Sequence, residues 1–143
     1  MDKLLYVKNI IKYYANNGVK TKALDQISFE VDEGEFICIM GPSGSGKTTL
    51  LNCLSAIDTI SSGHILLNGR EISDISDRDM AGFWREHLGF IFQDFNLLDT
   101  LTLEENIALP LVIKKEAANK INVQIQLLAD ELGLSDSMKK FPY

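Results

Sequence analysis

Apolar and polar side chains are distributed along the first third of the chain in a way that predicts a small β-rich layer. Residues 4–14 are rich in Leu, Ile, Val and Tyr, and residues 22–31 alternate between apolar and polar positions. Asn-Asn-Gly at 16–18 and Asp-Glu-Gly at 32–34 are turn signals. The pattern therefore predicts two strands joined by a turn, followed by a second turn.

Further strands are predicted after this layer. Residues 35–40 and 88–92 form two short, mostly apolar runs, which are typical of strands buried inside a sheet. Residues 64–67 form another strand-like run, and Asn68-Gly69 follows it as a strong hairpin-type turn. These runs therefore predict strands both before and after residues 41–49, a glycine-rich segment considered below.

Helices are predicted mainly in the second half. Residues 76–86 are polar and predict a short helix, and Thr102–Glu105 is a capping box that opens another helix. Pro110 is expected to disturb or end that second helix. Residues 116–132 predict a longer helix.

The longer helix contains an acidic pair with two interpretations. Asp130 and Glu131 follow an apolar run, as do the carboxylates that hold magnesium and activate water in many ATPases. The apolar residues nevertheless recur at helical spacing, at Ile121, Ile125, Leu128 and Leu132. That spacing places the pair on the polar face, so we interpret both residues as solvated helix charges.

A glycine-rich loop follows the first apolar run and precedes a helical segment. Its sequence is Gly41-Pro42-Ser43-Gly44-Ser45-Gly46-Lys47-Thr48-Thr49, which fits the phosphate-binding pattern G-x-x-x-x-G-K-[ST]. Backbone amides and a helix N-terminus form an anion cradle, Lys47 adds charge at the outer phosphates, and the Thr48 hydroxyl is placed to bind Mg²⁺. A dinucleotide fingerprint fits less well, because its last glycine position holds Thr49.

Composition narrows the choice of partners and compartment. The 143 residues carry a net charge of −6, which disfavours a nucleic-acid partner. No apolar run is long enough to span a bilayer, and no signal peptide is visible. Cys38 and Cys53 lie on predicted apolar elements and are expected to be buried thiols, so we predict a cytoplasmic location.

Several motifs in order resemble one known family. They are Lys12-Tyr13-Tyr14, residues 23–29, residues 34–36, the loop, residues 89–98 and residues 101–107. Together they resemble the nucleotide-binding subunit of an ABC transporter, over essentially the entire chain. The resemblance is closest to the branch that serves macrolide export, lipoprotein release and antimicrobial-peptide resistance.

The resemblance implies an α/β fold with a P-loop NTPase core. An N-terminal antiparallel β layer and this core would occupy residues 1–93, and residues 94–143 would begin a helical subdomain that is incomplete. The family's signature L-S-G-G-Q, its apolar-strand Asp-Glu pair and its switch histidine are absent. We therefore expect a partial ATP-binding domain, ending before the signature, that lacks the catalytic base and has little ATPase activity alone.

The resemblance also assigns roles to single residues. Tyr14 is expected to stack on adenine, and Gln93 corresponds to the family's Q-loop glutamine. That glutamine would bind Mg²⁺ or orient the attacking water, and Lys47 would act with it in catalysis. The cofactors implied are ATP and Mg²⁺, with Thr48 and Gln93 as metal ligands.

Finally, the resemblance implies partners. Two such subunits would bind MgATP between them, and hydrolysis would drive a membrane permease that holds the subunit on the inner face of the membrane. Residues 94–112 would form part of the groove that receives the permease. A stand-alone phosphate-loop kinase of small molecules and an interaction module without catalysis are the alternative functions.

Overall fold

The computed structural model describes residues 3–16, 18–91 and 95–143. The chain divides into two compact units, an N-terminal unit of residues 1–84 and a C-terminal unit of residues 85–143. The predicted division between residues 93 and 94 lies outside the described residues and stays a prediction. Among the described helices, none combines the length and the apolar character that a membrane span requires.

The N-terminal unit is built on a four-stranded antiparallel sheet with the strand order β2-β1-β3-β4. The strands are β1 (Leu5–Asn16), β2 (Val19–Val31), β3 (Ser62–Leu67) and β4 (Arg70–Glu71). The central strand β1 pairs with β2 on one side and with β3 on the other. These elements confirm the strands predicted at 4–14, 22–31 and 64–67.

Two turn signals of this unit, at 32–34 and 68–69, are also confirmed, whereas Asn17 of the third lies outside the described residues. Asn68 and Gly69 connect β3 to β4, with Leu67 opposite Arg70. Asn68 has a positive φ of 49°, as the tight hairpin turn requires. Gly34 lies in the turn that follows β2.

Two helices and a short 3-10 turn complete the N-terminal unit. These elements are α1 (Lys47–Leu54), the 3-10 turn (Ile72–Asp74) and α2 (Asp77–His87), whose last three residues lie past the unit boundary. The buried apolar side chains of the unit come from the strands, α1, the 3-10 turn region and α2. They are Val7, Ile10, Leu24, Leu50, Cys53, Ile65, Ile72, Ile75 and Phe83.

The C-terminal unit is helical. It contains α3 (Leu103–Ile113), α4 (Ala118–Glu131) and a 3-10 turn (Ser135–Ser137). Thr102 caps α3 as predicted, since its hydroxyl accepts a bond from the Glu105 amide while the Glu105 carboxylate accepts one from the Thr102 amide. The core consists of Ile121, Ile125, Ala129 and Met138, with side chains of α3 and Leu134 packed against them.

The two predicted buried strands at 35–40 and 88–92 are not observed in the described residues. Residues 35–40 and 88–91 have no strand conformation, and Phe92 lies outside the described part. Phe36 is 94% exposed and Met40 is 84% exposed. Both predictions were wrong for these residues, because an apolar run becomes a buried strand only where neighbouring strands pair with it, and the described sheet places none there.

The prediction that Cys38 is buried was wrong, and of the two outcomes predicted for Pro110 the end of the helix is not observed. Cys38 is exposed rather than buried, because it lies in the unpaired segment 35–40. Pro110 lies inside α3 without ending it, and the Lys114 amide already bonds the Pro110 carbonyl at 3.1 Å. A proline therefore removes one helical bond here and the helix resumes.

The apolar face of α4 differs in part from the prediction. Ile121 and Ile125 are buried as expected, but Leu128 and Leu132 are exposed and Ala129 is fully buried in their place. The i, i+4 spacing of the buried residues selects a narrower face than the apolar pattern alone indicated. Leu128 lies one position before Ala129 and therefore about 100° around the helix.

The packing of β3 against β1 predicts a large difference between two glycine substitutions. Gly63 has a φ of 99°, and a Cβ atom there would lie 2.6 Å from the Asn9 carbonyl oxygen. Gly69 has a φ of 74° with no atom within 4 Å of its Cβ position. Gly63→Ala should therefore lower the free energy of unfolding by well over the roughly 1–2 kcal/mol expected for Gly69→Ala from φ alone.

Urea denaturation of Gly63→Ala and Gly69→Ala would measure this difference. Equal reductions in the free energy of unfolding of the two variants would contradict a backbone collision at Gly63.

Candidate functional site

The glycine-rich loop leads directly into α1. Helix α1 begins at Lys47, and its N-cap Gly46 has a left-handed φ of 89°. The first helical bond runs from the Leu50 amide to the Gly46 carbonyl, at 2.8 Å. The amides of Lys47, Thr48 and Thr49 therefore have no acceptor within the helix, so they and the helix dipole produce a positive potential at this end.

Gly46 fixes this helix end against the sheet. A Cβ atom at this position would lie 2.5 Å from the Ala23 carbonyl oxygen and 3.3 Å from Leu24 Cδ2. Both contacts belong to β2. The loop can approach the strand this closely only with glycine, so Gly46 also has a packing function in addition to its place in the motif.

Lys47 points back into the loop. Its Nζ donates to the Gly41 carbonyl at 2.9 Å, to the Pro42 carbonyl at 2.7 Å and to Ser45 Oγ at 3.4 Å. All three acceptors are uncharged, and within the described ranges no carboxylate forms an ion pair with this ammonium. Among the residues that the structure describes, the positive charge beside the helix end thus has no carboxylate partner, which suits an anionic ligand.

The residues present fit a phosphate-bound cation better than a metal held by protein alone. Among the described residues there is no group of three or more His, Cys, Asp or Glu side chains placed to hold a metal. Thr48 is exposed at the second position of α1, beside Lys47. Its hydroxyl could bind Mg²⁺ together with phosphate oxygens of a ligand. Gln93, the other predicted ligand, lies outside the described residues.

Tyr14 lies on β1 and is 42% exposed. Its hydroxyl donates to Asp58 Oδ2 at 2.7 Å, and the Lys12 ammonium lies 4.9 Å from the centre of its ring. The hydrogen bond to the Asp58 carboxylate raises the pKa of the Tyr14 hydroxyl, and a hydrogen bond with the Thr49 side chain opposes this effect. The ring is thus held through both its hydroxyl and its π system.

Lys12, whose ammonium lies over this ring, forms an ion pair with Asp58. Lys12 Nζ lies 2.5 Å from Asp58 Oδ1 and 2.6 Å from the Thr59 carbonyl, and the lysine is buried. Burial alone would raise the Asp58 pKa, but hydrogen bonds from Lys12 and Tyr14 outweigh it, so this pKa lies below its ordinary value. Asp58 therefore stays charged in the folded protein.

The segment that carries Asp58 is fixed to both α1 and β1. The Ile57 and Asp58 amides bond the Asn52 carbonyl at 2.9 and 3.1 Å, at the end of α1. The Ser61 amide bonds the Ile11 carbonyl at 2.8 Å. Sequence reasoning assigned no role to Asp58, since nothing near it in the chain indicates a partner 46 residues away.

The acidic pair on α4 is where the helical spacing predicted it. Asp130 and Glu131 are exposed. Asp130 accepts hydrogen bonds from Gln126 Nε2 at 3.0 Å and from Ser135 Oγ at 2.7 Å. Both observations agree with solvated helix charges.

The segment after Gln93 exposes apolar side chains. Phe95 is 84% exposed, and Leu97 and Leu98 are about half exposed. Asn106 of α3 holds the backbone here, since its side chain bonds both the amide and the carbonyl of Leu98. These apolar side chains are therefore exposed rather than buried in the helical core, and the backbone at Leu98 is bonded to α3.

Comparison with known proteins identifies the family. The sequence profile of the ABC transporter family matches residues 24–142. The chain is 50% identical over 140 residues to the ABC transporter ATP-binding protein YxdL of Bacillus subtilis, covering 98% of this chain and 54% of that protein. It is 46% identical over 139 residues to the bacitracin export ATP-binding protein BceA of Halalkalibacterium halodurans, covering 97% and 55%.

A solved structure is also similar. The ATP-binding cassette MJ0796, determined as a dimer in a post-hydrolysis state with ADP and Pi, superimposes with a TM-score of 0.87 at 31% identity. The match covers 96% of this chain and 61% of that one. The chain thus spans about half the length of the curated relatives that it matches, and the α/β P-loop NTPase fold is confirmed.

The low pKa of Asp58 predicts how its contribution to stability depends on pH. An Asp with a lower pKa in the folded than in the unfolded chain contributes stability that is complete above about pH 5 and is lost as the pH falls through the folded-state pKa. Asp58→Asn should lower the free energy of unfolding at pH 7 by about 1–3 kcal/mol, since it leaves Lys12 without its charged partner.

Urea denaturation of the unchanged protein and of Asp58→Asn between pH 7 and pH 3 would measure the difference between their free energies of unfolding. We expect this difference to narrow below about pH 4. A difference that stays constant to pH 3 would contradict the low pKa of Asp58 in the folded protein.

Proposed function

Because this chain belongs to the ABC transporter family, we propose that residues 41–49 bind the phosphates of MgATP. The observation that carries the proposal is the Lys47 ammonium, which meets only uncharged acceptors among the described residues, beside the first amides of α1 that no helical bond uses. On ligand binding, Lys47 would exchange its carbonyl acceptors for β- and γ-phosphate oxygens. A charged acceptor gives a stronger hydrogen bond than a carbonyl, so the exchange is favourable.

Tyr14 is the proposed contact for the adenine base. Its ring is partly exposed, and one side of it faces the Lys12 ammonium. The other face is the one proposed to stack on a flat base. Stacking reads few hydrogen-bonding groups, so modest selectivity among purine nucleotides is expected.

The proposed role of the whole protein is to couple MgATP binding and hydrolysis to transport. Lys47 would stabilise charge that develops on the transferred phosphoryl group, Thr48 and Gln93 would bind Mg²⁺, and Gln93 would orient water. Asp130 and Glu131 are not proposed as the catalytic base, because both are exposed on α4. A stand-alone kinase has no support, since the relatives carry ABC transporter names.

Two protein partners are proposed. One is a second ATP-binding subunit, by analogy with the dimeric cassette structure. The other is a membrane permease that would hold the subunit on the inner face of the membrane. The exposed Phe95, Leu97 and Leu98 support a permease contact near the segment 94–112.

The first binding prediction concerns Lys47. Lys47→Ala should weaken ATP binding by at least about tenfold, because it removes a charged hydrogen-bond donor to the outer phosphates. Isothermal titration calorimetry would measure the dissociation constant, and Lys20→Ala, which removes an exposed charge from β2, is the matched control. Unchanged affinity in Lys47→Ala would overturn the assignment of the phosphate site.

The second binding prediction concerns Tyr14. Tyr14→Ala should weaken ATP binding by about 1–3 kcal/mol, the usual contribution of a base–aromatic stack. It should leave the binding of inorganic tripolyphosphate unchanged, because that ligand has no base. Tyr13→Ala is the control, since Tyr13 is equally exposed on the same strand. A loss in Tyr13→Ala instead would show that the neighbouring tyrosine makes the contact.

A further inference from the structure

The Tyr14 side chain is restrained at both its hydroxyl and its ring, although it is partly exposed on β1. Its hydroxyl bonds Asp58, and Asp58 in turn bonds the Lys12 ammonium that lies over the Tyr14 ring. The three groups therefore form a closed set of contacts, which we call the tyrosine anchor. The anchor connects β1 to the segment that follows α1.

We propose that Lys12 and Asp58 are positioning residues for the nucleotide base, which hold the Tyr14 ring at a fixed place relative to the phosphate-binding end of α1. The inference rests on the proposed stacking of Tyr14. Neither residue touches the ligand in this proposal. Each acts through the tyrosine ring.

Backbone hydrogen bonds hold the Asp58 end of the tyrosine anchor to α1. Asp58 follows α1 directly, and its amide bonds the Asn52 carbonyl inside that helix. Through Asp58, Tyr14 is therefore joined to the same short helix whose first turn carries Lys47. A ring that is already oriented loses less rotational freedom when a base stacks on it.

Lys12 adds a second effect. Its ammonium is buried against one side of the ring, where it pairs with Asp58 and with the Thr59 carbonyl. With that side occupied, a base can stack only on the opposite face. The ion pair therefore selects which ring face is available as well as holding the hydroxyl.

The chain contains a matched set of residues without this geometry. Lys22 Nζ lies 5.9 Å from the Tyr13 ring centre and 3.0 Å from Asp25. In this set the lysine and carboxylate side chains are 42% and 60% exposed, against 9% and 27% for Lys12 and Asp58. No bond from the Tyr13 hydroxyl to Asp25 is found in the described part of the chain, so this set tests charge and exposure without the anchor.

The experiment measures the ratio of ATP affinity to inorganic tripolyphosphate affinity by calorimetry. The ratio isolates the contribution of the nucleoside, because both ligands use the phosphate loop. Tyr14→Phe removes only the hydroxyl, and Asp58→Ala removes its acceptor. Each should lower the ratio about three- to tenfold, the effect expected for one hydrogen bond. The double variant should lower it no further, because both changes break the same contact.

Lys12→Met provides an independent arm if Asp58→Ala does not fold. It removes the ammonium from the ring and should also lower the ratio. Asp25→Ala and Tyr13→Phe should leave the ratio unchanged.

Two results would overturn the inference. One is a ratio that stays unchanged in Tyr14→Phe and Lys12→Met while Tyr14→Ala lowers it, which would keep the stacking and remove the anchor. The other is an equal loss for both ligands in Tyr14→Phe and Lys12→Met, which would indicate a structural role only. An unchanged ratio in Tyr14→Ala would instead overturn the proposed base contact.

Discussion

The ion pair between Lys12 and Asp58 is the contact on which the arrangement of the N-terminal unit depends. A lysine buried on a central strand has to meet an acceptor, because an unpaired buried ammonium costs several kcal/mol. Asp58 supplies the charge, and the Thr59 carbonyl supplies a second acceptor. The segment between α1 and β3 is consequently held against β1, and the start of β3 follows from that position.

Local signals predicted much of the fold. The capping box at Thr102, the hairpin at Asn68-Gly69 and the alternation along β1 and β2 each involve residues close in sequence. The segments 35–40 and 88–91 were predicted wrongly because burial of an apolar run depends on strands elsewhere. An amphipathic pattern likewise indicated a wider face for α4 than the helix actually buries.

The candidate site likewise has a part that the local sequence predicts and a part that depends on distant contacts. Residues 41–49 are consecutive, so a motif could predict them from the sequence together with the helix that follows. The close approach of Gly46 to the Ala23 carbonyl and the bond from Tyr14 to Asp58 are contacts between distant parts of the chain. Pairs of this kind depend on sheet register, and the register shifts along β1 make that register harder to infer from side-chain alternation.

Helix α1 has a double function in this arrangement. It has eight residues and is therefore about 12 Å long. Its first turn presents the amides and Lys47, while the segment after its last turn presents Asp58 to Tyr14. One helix thus separates the proposed phosphate site from the tyrosine ring. Because Gly46 also packs that helix against β2, the sheet and the helix together constrain where the two ends of the proposed nucleotide would lie.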